Sequence, residues 1–246
     1  MNFLPGSTFV TRDKPCPYLQ ARLTTTLYRF DGVDSPTYEK LIERGWRRFG
    51  RLFFMPQCDG CDRCISLRID TERFIFSRSF KRVLKQAAGI RLEIRRPAIS
   101  ETHLTLYNRY HEARQDTRGW QFERTGGAEY YQAFVEGARD YGYEFAYYLG
   151  DRLVAVALVD LLPNALSAVY CYYDPDQAHL SLGTYSILRQ ILLARERGVR
   201  YLYLGYWVPE NPSLAYKSRF RPFEILLGRP ALHEKSEWVQ CDPSSL

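Results

Sequence analysis

Residues 143–175 read YEFAYYLGDRLVAVALVDLLPNALSAVYCYYDP, and this stretch determines the predicted fold. Gly150-Asp151 and Pro163-Asn164 are typical of tight turns, and they divide the stretch into three apolar runs. The runs are predicted to be consecutive antiparallel strands. An apolar helical pattern over 182–197 and a further strand over 200–204 follow them. A meander followed by a helix and a strand predicts an α+β fold.

The first part of the chain is basic, whereas the second part is mildly acidic. Residues 1–97 contain 19 Lys and Arg against 10 Asp and Glu, a net charge of +9, and residues 98–246 carry a net charge of −3. Such an asymmetry favours a polyanion that is bound mainly by one side. We therefore predict a smaller basic N-terminal domain over 1–97 and a second domain over 98–246.

Composition excludes several classes of protein. The chain has 246 residues, of which 46% are hydrophobic and 15% aromatic, so general disorder is excluded. No apolar run approaches the roughly 18 residues of a membrane span. Met1–Val10 lacks a basic segment followed by an apolar stretch, which a signal peptide would need. We predict a cytoplasmic protein with no membrane partner.

Three cysteines follow one another at a spacing typical of metal sites. Cys58, Cys61 and Cys64 form C-x-x-C-x-x-C, and Cys16, which precedes a proline, is the predicted fourth ligand. Four thiolates suit zinc or an iron–sulfur cluster. The alternative is that these residues are reduced structural thiols. The four histidines do not form a ligand-like pair and are predicted to be packing or surface residues.

Several strings carry a resemblance that no single one of them would establish. They are CPYL (16–19), GWRRFG (45–50), CISLRI (64–69), SRSFKR (77–82), SAVY (167–170), YYDP (172–175), LSLG (180–183), YLGYW (203–207) and YKSRF (216–220). In this order the chain resembles the bacterial aspartate/glutamate leucyltransferases, which are relatives of the eukaryotic arginyl-tRNA–protein transferases. The resemblance covers roughly residues 3–240.

The resemblance implies a fold, an activity and partners. It implies an acetyltransferase-like (GNAT-like) C-terminal domain that moves leucine from leucyl-tRNA to the α-amino group of proteins with N-terminal Asp or Glu. The product carries a destabilising N-terminal residue and is degraded. The resemblance also implies a metal or iron–sulfur cluster at the cysteines, as in the eukaryotic relatives.

The transfer joins an activated ester to an amine, so it needs positioning, proton removal and oxyanion stabilisation but no cofactor. Asp174, at the end of a predicted strand, is the first candidate to hold the ammonium and accept its proton. Asp160 is the second candidate, because a carboxylate within an apolar run is costly to bury unless it is paired. Tyr170 is a candidate to assist proton transfer. The alternatives are that Asp174 is an ordinary turn residue, that Asp160 faces water at the end of its strand, and that Tyr170 packs in the core.

The predicted substrate-binding residues lie at a helix start and around an aromatic string. Backbone N–H groups at the helix start are suited to phosphate or ribose, and the rings of Tyr203, Tyr206 and Trp207 can stack on the terminal adenine. Lys217 or Arg219 can bind donor phosphates or the acceptor's acidic side chain. The sequence does not decide between the last two ligands. These residues are Ser181, Gly183, Tyr206, Trp207, Tyr216, Lys217 and Arg219.

A basic stripe is the predicted contact with tRNA. Arg78, Lys81, Arg82 and Lys85 recur at helical spacing, so they share one face and repel each other unless an anion is bound. Further predicted tRNA contacts are Arg47, Arg48 and Arg51. A solvated helix face is the alternative, and no DNA partner is predicted.

Two other functions remain open at this stage. An arginyl donor would need a buried acid where a leucyl donor needs an apolar pocket, and no string separates the two. A non-catalytic RNA-binding protein would share the basic stripe but would transfer no amino acid.

Overall fold

A computed structural model describes residues 7–20, 22–30 and 33–241, so part of Met1–Val10 lies outside the described residues. Within the described ranges, the first sheet has four antiparallel strands in the order β1-β2-β4-β3. The strands are β1 (Thr8–Pro15), β2 (Leu23–Phe30), β3 (Arg47–Phe49) and β4 (Leu52–Pro56). Helix α1 (Ser35–Ile42) lies between β2 and β3 in the chain.

The second sheet carries the predicted meander. Over the described part of the chain it has eight strands in the order β12-β11-β5-β10-β9-β8-β7-β6. Its strands are β5 (Ile65–Asp70), β6 (Ile90–Arg95), β7 (Gly142–Leu149), β8 (Arg152–Leu161), β9 (Ala165–Tyr173), β10 (Tyr201–Trp207), β11 (Phe223–Leu226) and β12 (Trp238–Cys241). The predicted three-stranded meander is confirmed, because β7, β8 and β9 pair antiparallel.

Helices cover both faces of this sheet. The buried side chains of α2 and α5 belong to one hydrophobic core, and those of α3 belong to another together with the π-helical turn. The elements are α2 (Arg78–Gln86), α3 (Glu101–Arg118), α4 (Gly127–Tyr130) with a π-helical turn Tyr131–Val135, α5 (Leu182–Glu196), and two 3₁₀ helices, Pro175–Leu180 and Ala215–Arg219. Among the described residues, no helix has the length and apolar character to cross a bilayer.

The fold is mixed α and β, as the sequence predicts. Strands from both sides of residue 97 share the large sheet, because β5 and β6 precede that residue and β7–β12 follow it. A boundary at residue 97 stays a prediction.

Candidate active site

The large sheet divides between β9 and β10. These parallel neighbours pair only from Ala165–Ser167 on β9 and Tyr201–Tyr203 on β10. Beyond that point β9 stays paired with β8 up to Tyr173, and β10 stays paired with β5 up to Trp207. The carboxyl-terminal halves of the two strands therefore separate, and a gap opens between their backbones.

Arg47 lies in this gap. Its Nη2 donates to the carbonyl of Ala168 on β9 at 2.7 Å, and its guanidinium lies against Gly205 on β10. A Cβ at Gly205, whose φ is +81°, would come within 3.1 Å of Arg47 Nε, so glycine permits this close approach. Arg47 is 7% exposed, and its Nη1 has no hydrogen-bond partner in the described ranges. The side chain is therefore not part of the exposed basic surface, and its predicted contact with tRNA stays a prediction.

Lys217 brings a second buried cation to the same place. The 3₁₀ helix Ala215–Arg219 directs its Nζ to the carbonyl of Tyr206 at 2.6 Å, and the residue is 8% exposed. Burial lowers the pKa of Lys217 to about 7, and the charge of Arg47 contributes in the same direction. A sequence pattern could not reveal this, because Arg47 and Lys217 are far apart along the chain.

Arg48 and Asp160 form a buried ion pair. Arg48 Nε donates to Asp160 Oδ2 at 2.9 Å, Nη2 donates to Oδ1, and the hydroxyl of Tyr38 also donates to Oδ2. Arg48 Nη1 donates to the carbonyls of Gly50 and Gly137. Asp160 and Arg48 are thus buried and satisfied by each other and by their neighbours, and the catalytic role of Asp160 and the tRNA contact of Arg48 stay predictions.

Asp174 closes the end of β9 and is 1% exposed. One carboxylate oxygen lies 3.3 Å from Arg109 Nη2 and accepts from the backbone N–H of Asp176, and the other accepts from Arg152. Two arginines thus hold both oxygens, and the carboxylate begins the 3₁₀ helix Pro175–Leu180. Both oxygens of Asp174 are therefore already occupied, and its predicted role in holding the ammonium and accepting a proton stays a prediction.

Tyr170 faces α3, and its hydroxyl forms a hydrogen bond with His111. His111 Nδ1 donates to the carbonyl of Tyr107 at 2.9 Å, so Nε2 accepts from the Tyr170 hydroxyl at 2.7 Å. Burial lowers the pKa of His111, which disfavours the charged imidazolium. A role for Tyr170 in proton transfer stays a prediction. The sequence predicted only a packing or surface role for His111, because its partner Tyr170 lies on a strand that is distant in the chain.

The predicted aromatic platform is buried. The hydroxyl of Tyr206 donates to the carbonyl of Gly45 at 2.7 Å, and Trp207 packs edge-on against Phe223. Both rings are buried, and stacking of the terminal adenine on them stays a prediction. Tyr216 is 39% exposed as a residue, although burial raises the pKa of its phenol.

The start of α5 differs from a simple capped helix. Ser181 is exposed with a φ of +52° and makes no side-chain cap. A Cβ at Gly183 would meet the ring of Tyr173 at 3.2 Å, so the glycine allows that ring to pack on the helix. Binding of phosphate or ribose by Ser181 and Gly183 stays a prediction.

An open basic groove lies at the start of α2. It measures about 800 Å³ and is lined by Arg73, Arg219 and Arg221 together with Ser77, the N-cap of α2. Arg219 is exposed here. Arg219 therefore belongs to a different surface from the buried Lys217, although the two residues are close together in the chain.

The predicted basic stripe is present on α2. Arg78, Lys81, Arg82 and Lys85 are exposed, and Phe80 is buried. Arg51, a predicted tRNA contact outside the stripe, lies 3.3 Å from Glu136. The helix prediction is confirmed, and contact of these cations with tRNA stays a prediction.

We expect Lys81→Gln combined with Lys85→Gln to weaken binding of charged and uncharged tRNA alike. The slope of log K against log salt should become shallower by roughly 1.5, at about 0.7–0.9 for each phosphate that is no longer neutralised. The matched control removes two exposed cations elsewhere, Arg197→Gln and Lys235→Gln. Equal slopes for both double variants, measured by binding titration from low to high salt, would indicate a solvated face.

The four cysteines of the predicted metal site surround one cavity. Cys16, Cys58, Cys61 and Cys64 line a space of about 250 Å³, together with Tyr18. Burial, and then the neighbouring thiols of Cys16 and Cys58, raise the pKa of Cys64 to about 12. In the described ranges, no three His, Cys, Asp or Glu side chains are grouped so that they could hold a metal ion. The iron or zinc site stays a prediction, and no step of the reaction depends on it.

Known protein families match most of this chain. The family models for the N terminus and the C terminus of the arginine-tRNA-protein transferases match residues 14–82 and 102–227. The aspartate/glutamate leucyltransferase of Helicobacter hepaticus is 43% identical over 94% of this chain and 96% of its own. The chain belongs to this family of transferases. The Campylobacter jejuni strain 81116 aspartate/glutamate leucyltransferase is 40% identical over 92% of this chain and 95% of its own.

Family membership confirms the predicted resemblance and makes the protein an aminoacyltransferase. Among solved structures, L-PGS from Bacillus licheniformis is similar with a TM-score of 0.44 and 11% identity, over 74% of this chain and 65% of that one. A similarity of this size carries no argument about the fold.

Proposed function

We propose that the protein transfers leucine from leucyl-tRNA to the α-amino group of proteins with N-terminal Asp or Glu, in the cytoplasm, and so marks them for degradation. The names of the relatives support this donor and these acceptors. The same names argue against a non-catalytic RNA-binding protein. Leucyl-tRNA and acidic N-termini are thus the proposed partners.

The buried carboxylates of the described residues are already paired with arginines, which favours leucine over arginine as the transferred amino acid. The fully or nearly buried carboxylates of the described residues are Asp70, Glu144, Asp160 and Asp174. Each of them already has an arginine partner. An arginyl side chain would need a carboxylate that is not neutralised, because burying an unpaired guanidinium is costly. This pairing is the observation that carries the choice of leucine.

We also propose an acetyltransferase-like arrangement for the C-terminal part. The meander β7–β9, the helix α5 after it, and the parallel strand β10 that parts from β9 are consistent with that arrangement. The gap between β9 and β10 is the proposed place where donor ester and acceptor amine meet. Its backbone groups are released from sheet pairing and can hydrogen-bond to substrates.

The chemistry needs no enzyme nucleophile. The neutral α-amine attacks the ester carbon, the C–N bond forms, the C–O bond to the ribose breaks, and the ribose oxygen takes a proton. An α-amino group has a pKa of about 7.7–8.0, so a useful fraction is neutral at pH 7 without a strong base. The buried cations Arg47 and Lys217 favour that neutral form further, since they repel an ammonium.

We expect labelled leucine to appear on peptides that begin with Asp or Glu when leucyl-tRNA is the donor. Labelled arginyl-tRNA, and peptides that begin with Lys or Ala, serve as controls. The measurement is peptide-bound label after a short incubation. Equal labelling of the Asp and Ala peptides would contradict the acceptor specificity, and labelling from arginyl-tRNA alone would contradict the donor.

A further inference from the structure

Building on the proposed function, we propose that Arg47 and Lys217 form the site that binds the side-chain carboxylate of the acceptor's N-terminal Asp or Glu. The sequence alone left the ligand of Lys217 undecided and assigned Arg47 to tRNA. The structure brings the two cations together beside the gap between β9 and β10.

Both cations are buried, and within the described part of the chain neither is paired with a carboxylate. Among the ion pairs of the described residues, none involves Arg47 or Lys217 with a carboxylate, and each cation donates instead to one backbone carbonyl. The other buried arginines behave differently, since Arg48 pairs with Asp160 and Arg68 with Glu224. Two neighbouring buried cations without counter-charge are costly unless an anion is bound. The two cations therefore lack a negative counter-charge, which a bound anion would supply.

Both cations have N–H donors that make no hydrogen bond with the described residues, and such donors can orient a bound carboxylate. Arg47 Nη1 is buried and has no hydrogen-bond partner among the residues that the structure describes. Lys217 Nζ has three N–H donors, of which one is used by the carbonyl of Tyr206. A carboxylate can accept from both groups, and a guanidinium suits it because two parallel bonds are possible.

A carboxylate fits this site better than a phosphate of the tRNA backbone. Arg47 and Lys217 are both more than nine-tenths buried, so a bulky sugar-phosphate chain would not reach them. Exposed cations for phosphates are present elsewhere, on α2 and in the groove lined by Arg73 and Arg219. The buried pair is therefore left for a small anion near the reacting amine.

The proposal predicts strong discrimination between Asp and its isosteric amide. An N-terminal Asn has nearly the same shape but leaves both cations without counter-charge, which is the situation that rejects a wrong substrate most effectively. We expect the wild-type protein to favour Asp over Asn peptides at least 100-fold in kcat/KM. Lys217→Met should reduce that ratio at least tenfold, mainly by raising KM for the Asp peptide.

The experiment compares Lys217→Met and Arg47→Lys with wild type, using matched Asp, Glu and Asn peptides and leucyl-tRNA. Arg197→Gln, which removes an exposed cation at the end of α5, is the matched control and should keep the wild-type ratio. Arg47→Lys keeps the charge but loses the planar fork, so it should lower the ratio less than Lys217→Met. Binding of leucyl-tRNA is measured for every variant and should change less than twofold.

The outcomes separate this inference from the proposed function. An unchanged Asp to Asn ratio in both variants, with leucine transfer intact, would overturn the assignment of Arg47 and Lys217 alone. A loss of leucyl-tRNA affinity with an unchanged ratio would assign the cations to donor phosphate instead. Absence of leucine transfer by the wild type to any peptide would overturn the proposed function. If Lys217→Met fails to fold, the ratio in Arg47→Lys decides.

Discussion

Asp160→Asn should lower the free energy of unfolding by about 3–5 kcal/mol, because it leaves Arg48 as a buried charge without a partner. Arg48 donates two hydrogen bonds to this carboxylate, and Tyr38 donates a third. An asparagine keeps the volume but carries no charge, and its NH2 group faces donors. The measurement is urea unfolding at pH 7, and a loss of this size is a large part of a typical domain's stability.

Two comparisons make this prediction specific. Asp176→Asn removes a carboxylate that is 70% exposed and pairs with Arg109, and it should change the unfolding free energy by less than about 1 kcal/mol. The double variant Arg48→Met with Asp160→Asn should lose less than the two single variants together, since neither charge is then left alone. An Asp160→Asn protein of wild-type stability that transfers no leucine would instead support the catalytic role that the sequence suggested.

Strong local patterns made part of the fold predictable. Turn dipeptides and apolar runs predicted β7, β8 and β9, and a long apolar period predicted α5, because these elements are specified within short windows. Strand β3 has only three residues, Arg47–Phe49, and no window that short indicates a strand. Nothing in the local pattern therefore indicated that two arginines of the string GWRRFG point inward.

The sequence indicated where the candidate site lies but not what each of its residues does. Asp160, Asp174 and Lys217 are buried residues beside or within the elements that border the gap, so unusual polar residues did indicate important positions. Their roles depend on partners that are distant in the chain: Arg48 for Asp160, Arg109 and Arg152 for Asp174, and Arg47 for Lys217. Charge pairing of this kind requires three-dimensional coordinates.

Lys217→Met should stabilise the protein while it impairs recognition of acidic acceptors. Burial lowers the pKa of Lys217 from 10.5 to about 7. A lowered pKa of a base means that the folded state disfavours the proton, so the charge destabilises the fold most at pH 7 and below. At about 1.4 kcal/mol per pKa unit the penalty is roughly 4 kcal/mol at pH 7. Lys217→Met also removes the hydrogen bond to the carbonyl of Tyr206 and leaves that carbonyl without a donor. This cost offsets part of the relieved penalty, so the net gain in stability is roughly 2 kcal/mol.

The pH dependence of that gain distinguishes a lowered pKa from simple repacking. Between pH 7 and 10.5 the unfolded chain binds a proton at Lys217 that the folded protein does not bind, so the stability of the wild type rises with pH. The advantage of Lys217→Met should therefore be greatest near about pH 6.5, where the wild type still carries the uncompensated charge, and should shrink to near zero by about pH 9. Urea unfolding of both proteins at the two pH values measures it, and groups common to both cancel in the difference.

The control for this titration is Lys235→Met, which replaces an exposed lysine and should show no such change with pH. A constant advantage of Lys217→Met at both pH values would mean that Lys217 keeps its ordinary pKa and that Met merely packs better beside Arg47 and Cys64. An advantage that disappears with rising pH, together with a lost preference for Asp over Asn, would mean that the fold tolerates an unfavourable buried charge because that charge selects the substrate.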